Sequence, residues 1–116
     1  MASKRIAQVN ALLQQEVGLI LRRDLEIPIN TLVTVSHADA SVDLEHATIW
    51  LKVFPEHEAD NVLQLLSKTI WSIQKTLNRR LAMKFVPKIR FDIDTSEEQA
   101  EHMLHVLDEL KTDDPS

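Results

Sequence analysis

A long helical pattern, which follows Pro55 and continues to residue 82, limits the folds open to this chain of 116 residues. Apolar side chains recur three or four positions apart, which is the spacing of one helix face. They are Ala59, Val62, Leu63, Leu66, Ile70, Ile73, Leu77 and Leu81. A straight helix of about 26 residues would be about 39 Å long, more than a sheet of short strands covers. We therefore expect a bend at residues 69–71, where the Thr69 hydroxyl can bond a carbonyl one turn earlier.

The charge of this helix and of the segment after it is the second constraint. Residues 67–91 carry seven basic side chains and no acidic one, whereas the whole chain has a net charge of −5. Four of its polar residues are spaced to form one stripe opposite the leucines, namely Lys68, Ser72, Lys75 and Arg79. A charge run is often only the solvated face of a helix, but such a face normally includes acids, and none occurs between Asp60 and Asp92. The sequence therefore predicts a basic surface for a polyanion on an acidic protein.

The first half of the chain predicts a helix and a β-hairpin. Residues 4–23 place apolar side chains on one helix face, with Ser3 as a candidate N-cap. Residues 31–37 and 47–54 alternate and are rich in β-branched residues, which is typical of strands. Turn residues lie between them, namely Asp39, Ser41 and Asp43. The second strand carries Trp50, Lys52 and Phe54 on one face, either as a stacking platform for bases or, as we favour, covered by the last helix or a loop.

The second half predicts one more strand and one more helix. Residues 84–94 alternate, and the proline near their start indicates an edge or entry position. Thr95 to Glu98 matches a capping box, before a helix with an apolar face of Ala100, Met103, Leu107 and Leu110. We expect a single domain over residues 1–111 and a disordered acidic tail over residues 112–116.

Composition excludes several kinds of chemistry. The chain has no cysteine and one glycine, so disulfides, thiolate metal sites and glycine-rich phosphate loops are absent. His102 and His105 are three residues apart, but no third metal ligand is placed by the sequence, and we expect no metal and no cofactor. Asp92 and Asp94 resemble a carboxylate pair, which keeps a small hydrolase or nuclease as a minor alternative. No signal peptide or membrane span is found, and the lack of cysteine fits a reducing cytosol, so we expect a cytoplasmic protein. No nucleophile elbow and no Ser, His and Asp arrangement stands out, so we expect a protein that is not an enzyme.

Two stretches resemble the ribosome-binding factor A family, a group of bacterial assembly factors of the small ribosomal subunit. They are VTVSHADASVDLEHATIWLKVF at 33–54 and FVPKIRFDID at 85–94, and Arg5 and Val9 of the first helix also fit. The resemblance implies a type II KH-like fold ordered helix, strand, strand, bent helix, strand, helix, with a three-stranded mixed sheet and helices mainly on one face. It also implies binding to the small (30S) subunit and its 16S rRNA, in late assembly and 5′-end processing, without catalysis.

The chain departs from the family pattern at the kink. An ordinary KH domain clamps the backbone with a GxxG loop, which this family replaces by a kink of Ala, any residue and Gly. Thr69, Ile70 and Trp71 stand at these positions here, so the kink glycine is absent. Trp71 is then expected either to contact RNA or to pack, and the bend to be shallower. A second departure is the short acidic tail.

We predict an RNA-binding surface made of basic residues and one serine. It comprises Lys4, Arg5, Lys68, Ser72, Lys75, Arg79, Arg80, Lys84, Lys88 and Arg90. The bend would join the helix residues to Lys88 and Arg90 in one continuous basic wall. The expected partners of a monomer are the 30S subunit and 16S rRNA, with ribosomal proteins and an assembly GTPase as further candidates. The alternative is a protein-interaction scaffold that docks a basic protein through its acidic face.

Overall fold

The computed structural model describes residues 4–95, which form two long helices and a three-stranded sheet. The elements are α1 (Lys4–Asp24), β1 (Leu32–Ala40), β2 (His46–Phe54), α2 (Ala59–Arg80) and β3 (Lys88–Ile93), with a 3-10 turn (Glu56–Glu58) before α2. This order confirms the predicted α+β class. The Ser3 cap, the last helix with its two histidines, most of the capping box and the acidic tail lie outside the described residues.

The sheet is mixed, and β2 is its central strand. β2 pairs antiparallel with β1 and parallel with β3. Its four buried residues alternate, so they share one face, and they are Ala47, Ile49, Leu51 and Val53. Both helices pack on that face, through Val9, Leu13, Val17, Ile20 and Leu21 of α1 and Val62, Leu66, Ile73 and Leu77 of α2. Among residues 4–95 the opposite face of the sheet carries no helix.

The turn between β1 and β2 is held by side-chain hydrogen bonds. The Ser41 hydroxyl donates to Asp43 Oδ1 (2.6 Å), which also accepts the Glu45 amide (3.0 Å). These bonds favour the charged carboxylate, and so they lower the pKa of Asp43, the serine bond contributing most. Asp39, which we expected in the turn, lies within β1, because the strand continues past a bulge between Val35 and His37.

The predicted bend of the second helix is not accompanied by a break in its α-helical structure. α2 is one uninterrupted α-helix through residues 69–71. The Thr69 hydroxyl does donate to the carbonyl of Leu65 (3.1 Å) and lies 3.3 Å from that of Leu66, but no break accompanies these bonds. The apolar contact between α2 and the sheet does not require a bend. The buried positions from Val62 to Leu77 span about 23 Å, which is less than the length of about 30 Å of the nine residues of β2.

One glutamine of α2 fixes the position of β3. Gln74 Nε2 donates to the carbonyl of Pro87 (3.1 Å), and Gln74 Oε1 accepts the amide of Ile89 (2.9 Å). Pro87 itself is fully buried at the entry to the strand. The side-chain amide of Gln74 therefore satisfies main-chain groups on an edge of the sheet that no other described strand pairs with.

Candidate nucleic-acid interface

The polar stripe of α2 lies on the surface of the helix layer. Lys68, Ser72, Lys75 and Arg79 are all exposed, while the opposite side of the helix carries its buried residues. This is the arrangement that the spacing in the sequence predicted. No acidic residue occurs between Asp60 and Asp92, so no carboxylate of this segment neutralises the positive charges of the stripe. Such a surface attracts phosphate groups.

Two further predicted residues near the end of α2 have partners within the protein. The Arg80 guanidinium donates to the Glu16 carboxylate of α1, and this ion pair links the two helices. Lys84, in the loop before β3, lies over the Phe85 ring at 5.6 Å from its centroid. Arg80 thus helps to hold α1 against α2. Lys84 is exposed to solvent despite its contact with Phe85.

Lys88 and Arg90 lie on the other face of the sheet from the helices. Ile89 between them is buried and pairs with Ala47 on the helix-covered face, so alternation points its two neighbours away from α2. Arg90 Nε donates to Thr48 Oγ1 (3.0 Å), beside an open depression that these residues line together with His46. The continuous basic wall expected from a bent helix is therefore not formed.

The first turn of α1 contributes the last two predicted residues. Lys4 and Arg5 are both exposed there. The basic candidates thus fall into separate groups on α2, on the far side of the sheet and at the start of α1. Sequence spacing identified each group but not how the groups face one another.

A polar cluster on the open face of the sheet was missed by the sequence analysis. The Ser36 hydroxyl donates to Asp94 Oδ2 (2.6 Å), and His37 Nδ1 lies 3.7 Å from the same oxygen. The His37 ring stacks on Trp50, with centroids 5.8 Å apart and planes inclined by 20°. No local signal reveals this cluster, because it depends on the bulge at residue 36 and on the pairing of distant strands.

The same cluster bears on the hydrolase alternative. The Ser36 hydroxyl donates its hydrogen bond to a carboxylate that is almost buried, so Asp94 links β1 to the end of β3. Asp92 Oδ1 accepts the amide of Ile93. Asp92 and Asp94 thus accept structural hydrogen bonds rather than facing each other as a catalytic pair. Nothing in this geometry favours a hydrolase.

Two aromatic side chains stand out on the helix side of the chain. Trp71, on α2, is 85% exposed, and Phe85, in the following loop, is 76% exposed. The sequence left open whether Trp71 packs, and the structure shows that among residues 4–95 it does not. Within that range no helix is both long and apolar enough to cross a membrane, and His, Asp and Glu side chains form no group of three that would hold a metal.

These features define a small α+β domain with a helix layer on one face of a three-stranded mixed sheet and an exposed basic helix surface. The chain belongs to the ribosome-binding factor A family, whose family model matches residues 5–107. It is 30% identical to ribosome-binding factor A of Akkermansia muciniphila over 93% of this chain and 86% of that protein.

Solved structures agree with this membership. The crystal structure of ribosome-binding factor A from Thermus thermophilus superimposes with a TM-score of 0.66 at 26% identity, covering 76% of this chain and 93% of that one. A homology model of the Thermus thermophilus factor, fitted into a cryo-EM map of its complex with 30S, gives a TM-score of 0.65 at 26% identity, covering 75% and 92%. The predicted family is confirmed, and with it the fold.

Proposed function

We propose that this protein binds the small (30S) ribosomal subunit through its 16S rRNA and assists assembly without catalysis. The observation that carries the proposal is the exposed, acid-free stripe of α2 on a protein whose net charge is −5. The relationship to a family whose Thermus thermophilus member has been fitted into a 30S complex supports the choice of partner. Late action, 5′-end processing, a cytoplasmic monomer and contacts with ribosomal proteins or a GTPase follow from the family resemblance alone.

The stripe suits RNA better than a protein partner for an electrostatic reason. Lys68, Lys75 and Arg79 repel one another, and a phosphate backbone relieves that repulsion along its length. Binding that neutralises phosphates releases counterions, so the affinity falls steeply as salt is raised. If the protein instead docked a basic partner through its acidic face, the salt dependence of the affinity would not depend on Lys68 and Lys75.

The test is charge reversal on the stripe. In the double variant Lys75→Glu, Arg79→Glu, binding to small subunits should weaken, and the slope of log affinity against log salt should fall by about 1.4 to 1.8 for two lost phosphate contacts. Both side chains are exposed, so the melting temperature should stay close to that of the unsubstituted protein. Sedimentation with purified small subunits at several salt concentrations measures the affinity.

A matched control is Arg22→Glu, Arg23→Glu, which makes the same charge change on exposed residues of the last turn of α1. It should leave the slope nearly unchanged. An unchanged slope in the α2 variant would move the RNA surface elsewhere. Subunit binding without any affinity for 16S rRNA at low salt would favour the scaffold that docks a basic protein.

A further inference from the structure

We propose that Trp71 is a stacking site for an unpaired RNA base, held between Lys68 and Lys75. This inference rests on the proposed function and specifies the ligand of the α2 stripe as single-stranded or bulged RNA. The indole is 85% exposed in the middle of α2, on the side away from the buried Ile73 and Leu66.

Within residues 4–95, no packing of the indole explains why a tryptophan stands at position 71. A tryptophan normally contributes about 150–250 Å² of buried area, and this residue forgoes most of it. Among residues 4–95 its ring makes no stacking or cation contact, whereas Trp50 on the far side of the sheet is half-buried and stacked on His37. The uninterrupted helix nevertheless holds the Trp71 backbone in place, so the indole is presented from a rigid element.

The surroundings of the ring favour a nucleotide. Lys68 precedes Trp71 by three residues and Lys75 follows it by four, and both spacings place side chains side by side on a helix. One lysine thus lies on each side of Trp71 along the helix, which matches a base with phosphates on either side. Every base has a π-face, so the site would accept any of the four bases. The base would have to be unpaired, because a base within a duplex is not accessible for stacking.

The experiment compares two RNA probes, a short single-stranded oligouridylate and a fully paired RNA hairpin. Trp71→Leu keeps an apolar, helix-forming side chain but removes the π-face. It should raise the Kd for oligouridylate about 5- to 150-fold, the equivalent of about 1–3 kcal/mol of stacking. The Kd for the hairpin and the salt slope should stay unchanged, because no charge is lost.

Fluorescence gives a second readout from the same titration. Oligouridylate should quench the tryptophan emission of the unsubstituted protein, and the quenching should disappear in Trp71→Leu, which retains Trp50 alone. Trp71→Phe should keep most of the affinity, since a phenyl ring still stacks. Lys75→Gln is the charge control, and it should flatten the salt slope for both RNAs.

The outcomes separate this inference from the proposed function. If Trp71→Leu binds oligouridylate as tightly as the unsubstituted protein while Lys75→Gln binds less tightly, stacking is overturned and the charged surface stands. If Trp71→Leu loses small-subunit binding with no change for oligouridylate, the indole contacts some other feature of the subunit and the inference is wrong. Absence of binding to oligouridylate, even at low salt, overturns the inference, while the proposed function is judged by the charge-reversal test with small subunits.

Discussion

Gln74 shows how one side chain can join two elements that are distant in sequence. Its amide bonds the Pro87 carbonyl and the Ile89 amide, and Nε2 also lies 3.1 Å from Asn78 Oδ1. A glutamine at a half-buried helix position gives no local sign of this role, since its partners are 13 and 15 residues away. The contact explains how β3 is held at an edge that no other strand among residues 4–95 pairs with.

Replacing Gln74 by Ala should lower the free energy of unfolding by about 1–3 kcal/mol, because the partly buried amide of Ile89 loses its acceptor. Urea denaturation measures the change. Gln64→Ala is the matched control, as it removes an exposed glutamine from the same helix and should change stability by less than about 0.5 kcal/mol. Equal effects of the two substitutions would show that the Gln74 bridge contributes nothing.

Arg80 makes a related point about charged residues. In the sequence it belongs to a basic run with Arg79, but in the structure Arg79 is on the exposed stripe and Arg80 pairs with Glu16. Adjacent residues of a helix point about 100° apart, so two neighbouring arginines face different surroundings. Residue type alone therefore does not show which cations have an acidic partner within the protein.

At the scale of elements, α2 contributes one side to the hydrophobic core and the other side to the exposed surface. Its apolar side covers β2 and β3, and its polar side is the exposed stripe, so the helical register decides which residues are buried and which are exposed. The periodicity of the sequence predicted that register. It did not predict that the helix stays uninterrupted, because this depends on how much of its length the sheet has to cover.

Leu66→Ala should destabilise the protein by about 2–5 kcal/mol, since the side chain is fully buried and its removal leaves a cavity. Leu12→Ala makes the same chemical change on α1 at a position that is 43% exposed, and it should cost clearly less. Thermal melts of both variants test the assignment. A shift of only a degree or so for Leu66→Ala would mean that the register of α2 is wrong.

At the scale of the whole molecule, the two layers separate the predicted basic residues. The α2 stripe faces outward from the helix layer, while Lys88 and Arg90 face outward from the sheet. An RNA segment bound along the α2 stripe would therefore lie on the opposite side of the domain from Lys88 and Arg90. We therefore propose α2 as the main binding surface, where the three cations of the stripe and Trp71 lie on one helix.

Charge reversal on the sheet side tests this assignment. Lys88→Glu, Arg90→Glu should change the affinity for small subunits by less than about threefold at physiological salt, because charges more than a Debye length from the RNA are screened. The variant Lys75→Glu, Arg79→Glu makes the same charge change and should weaken binding strongly. A larger effect from the sheet-side pair would place the RNA on the open face, near the depression beside Thr48.

Local sequence patterns were enough to locate the two helices and three strands, the buried stripe of α2 and the exposure of Lys68, Lys75 and Arg79. These properties depend on periods of 3.6 and 2 residues, which any short window of the chain contains. The family was predicted from short sequence motifs at 33–54 and 85–94, and the comparisons confirmed it.

Features that depend on distant pairs of residues emerged only from the folded arrangement. They are the parallel register of Lys88 against His46, the bulge between Val35 and His37, and the bond from Ser36 to Asp94. A strand shifted by one residue presents its other face, so no local pattern reveals which side of the molecule Lys88 and its neighbours occupy. That register is why the basic residues of α2 and β3 form two surfaces rather than one.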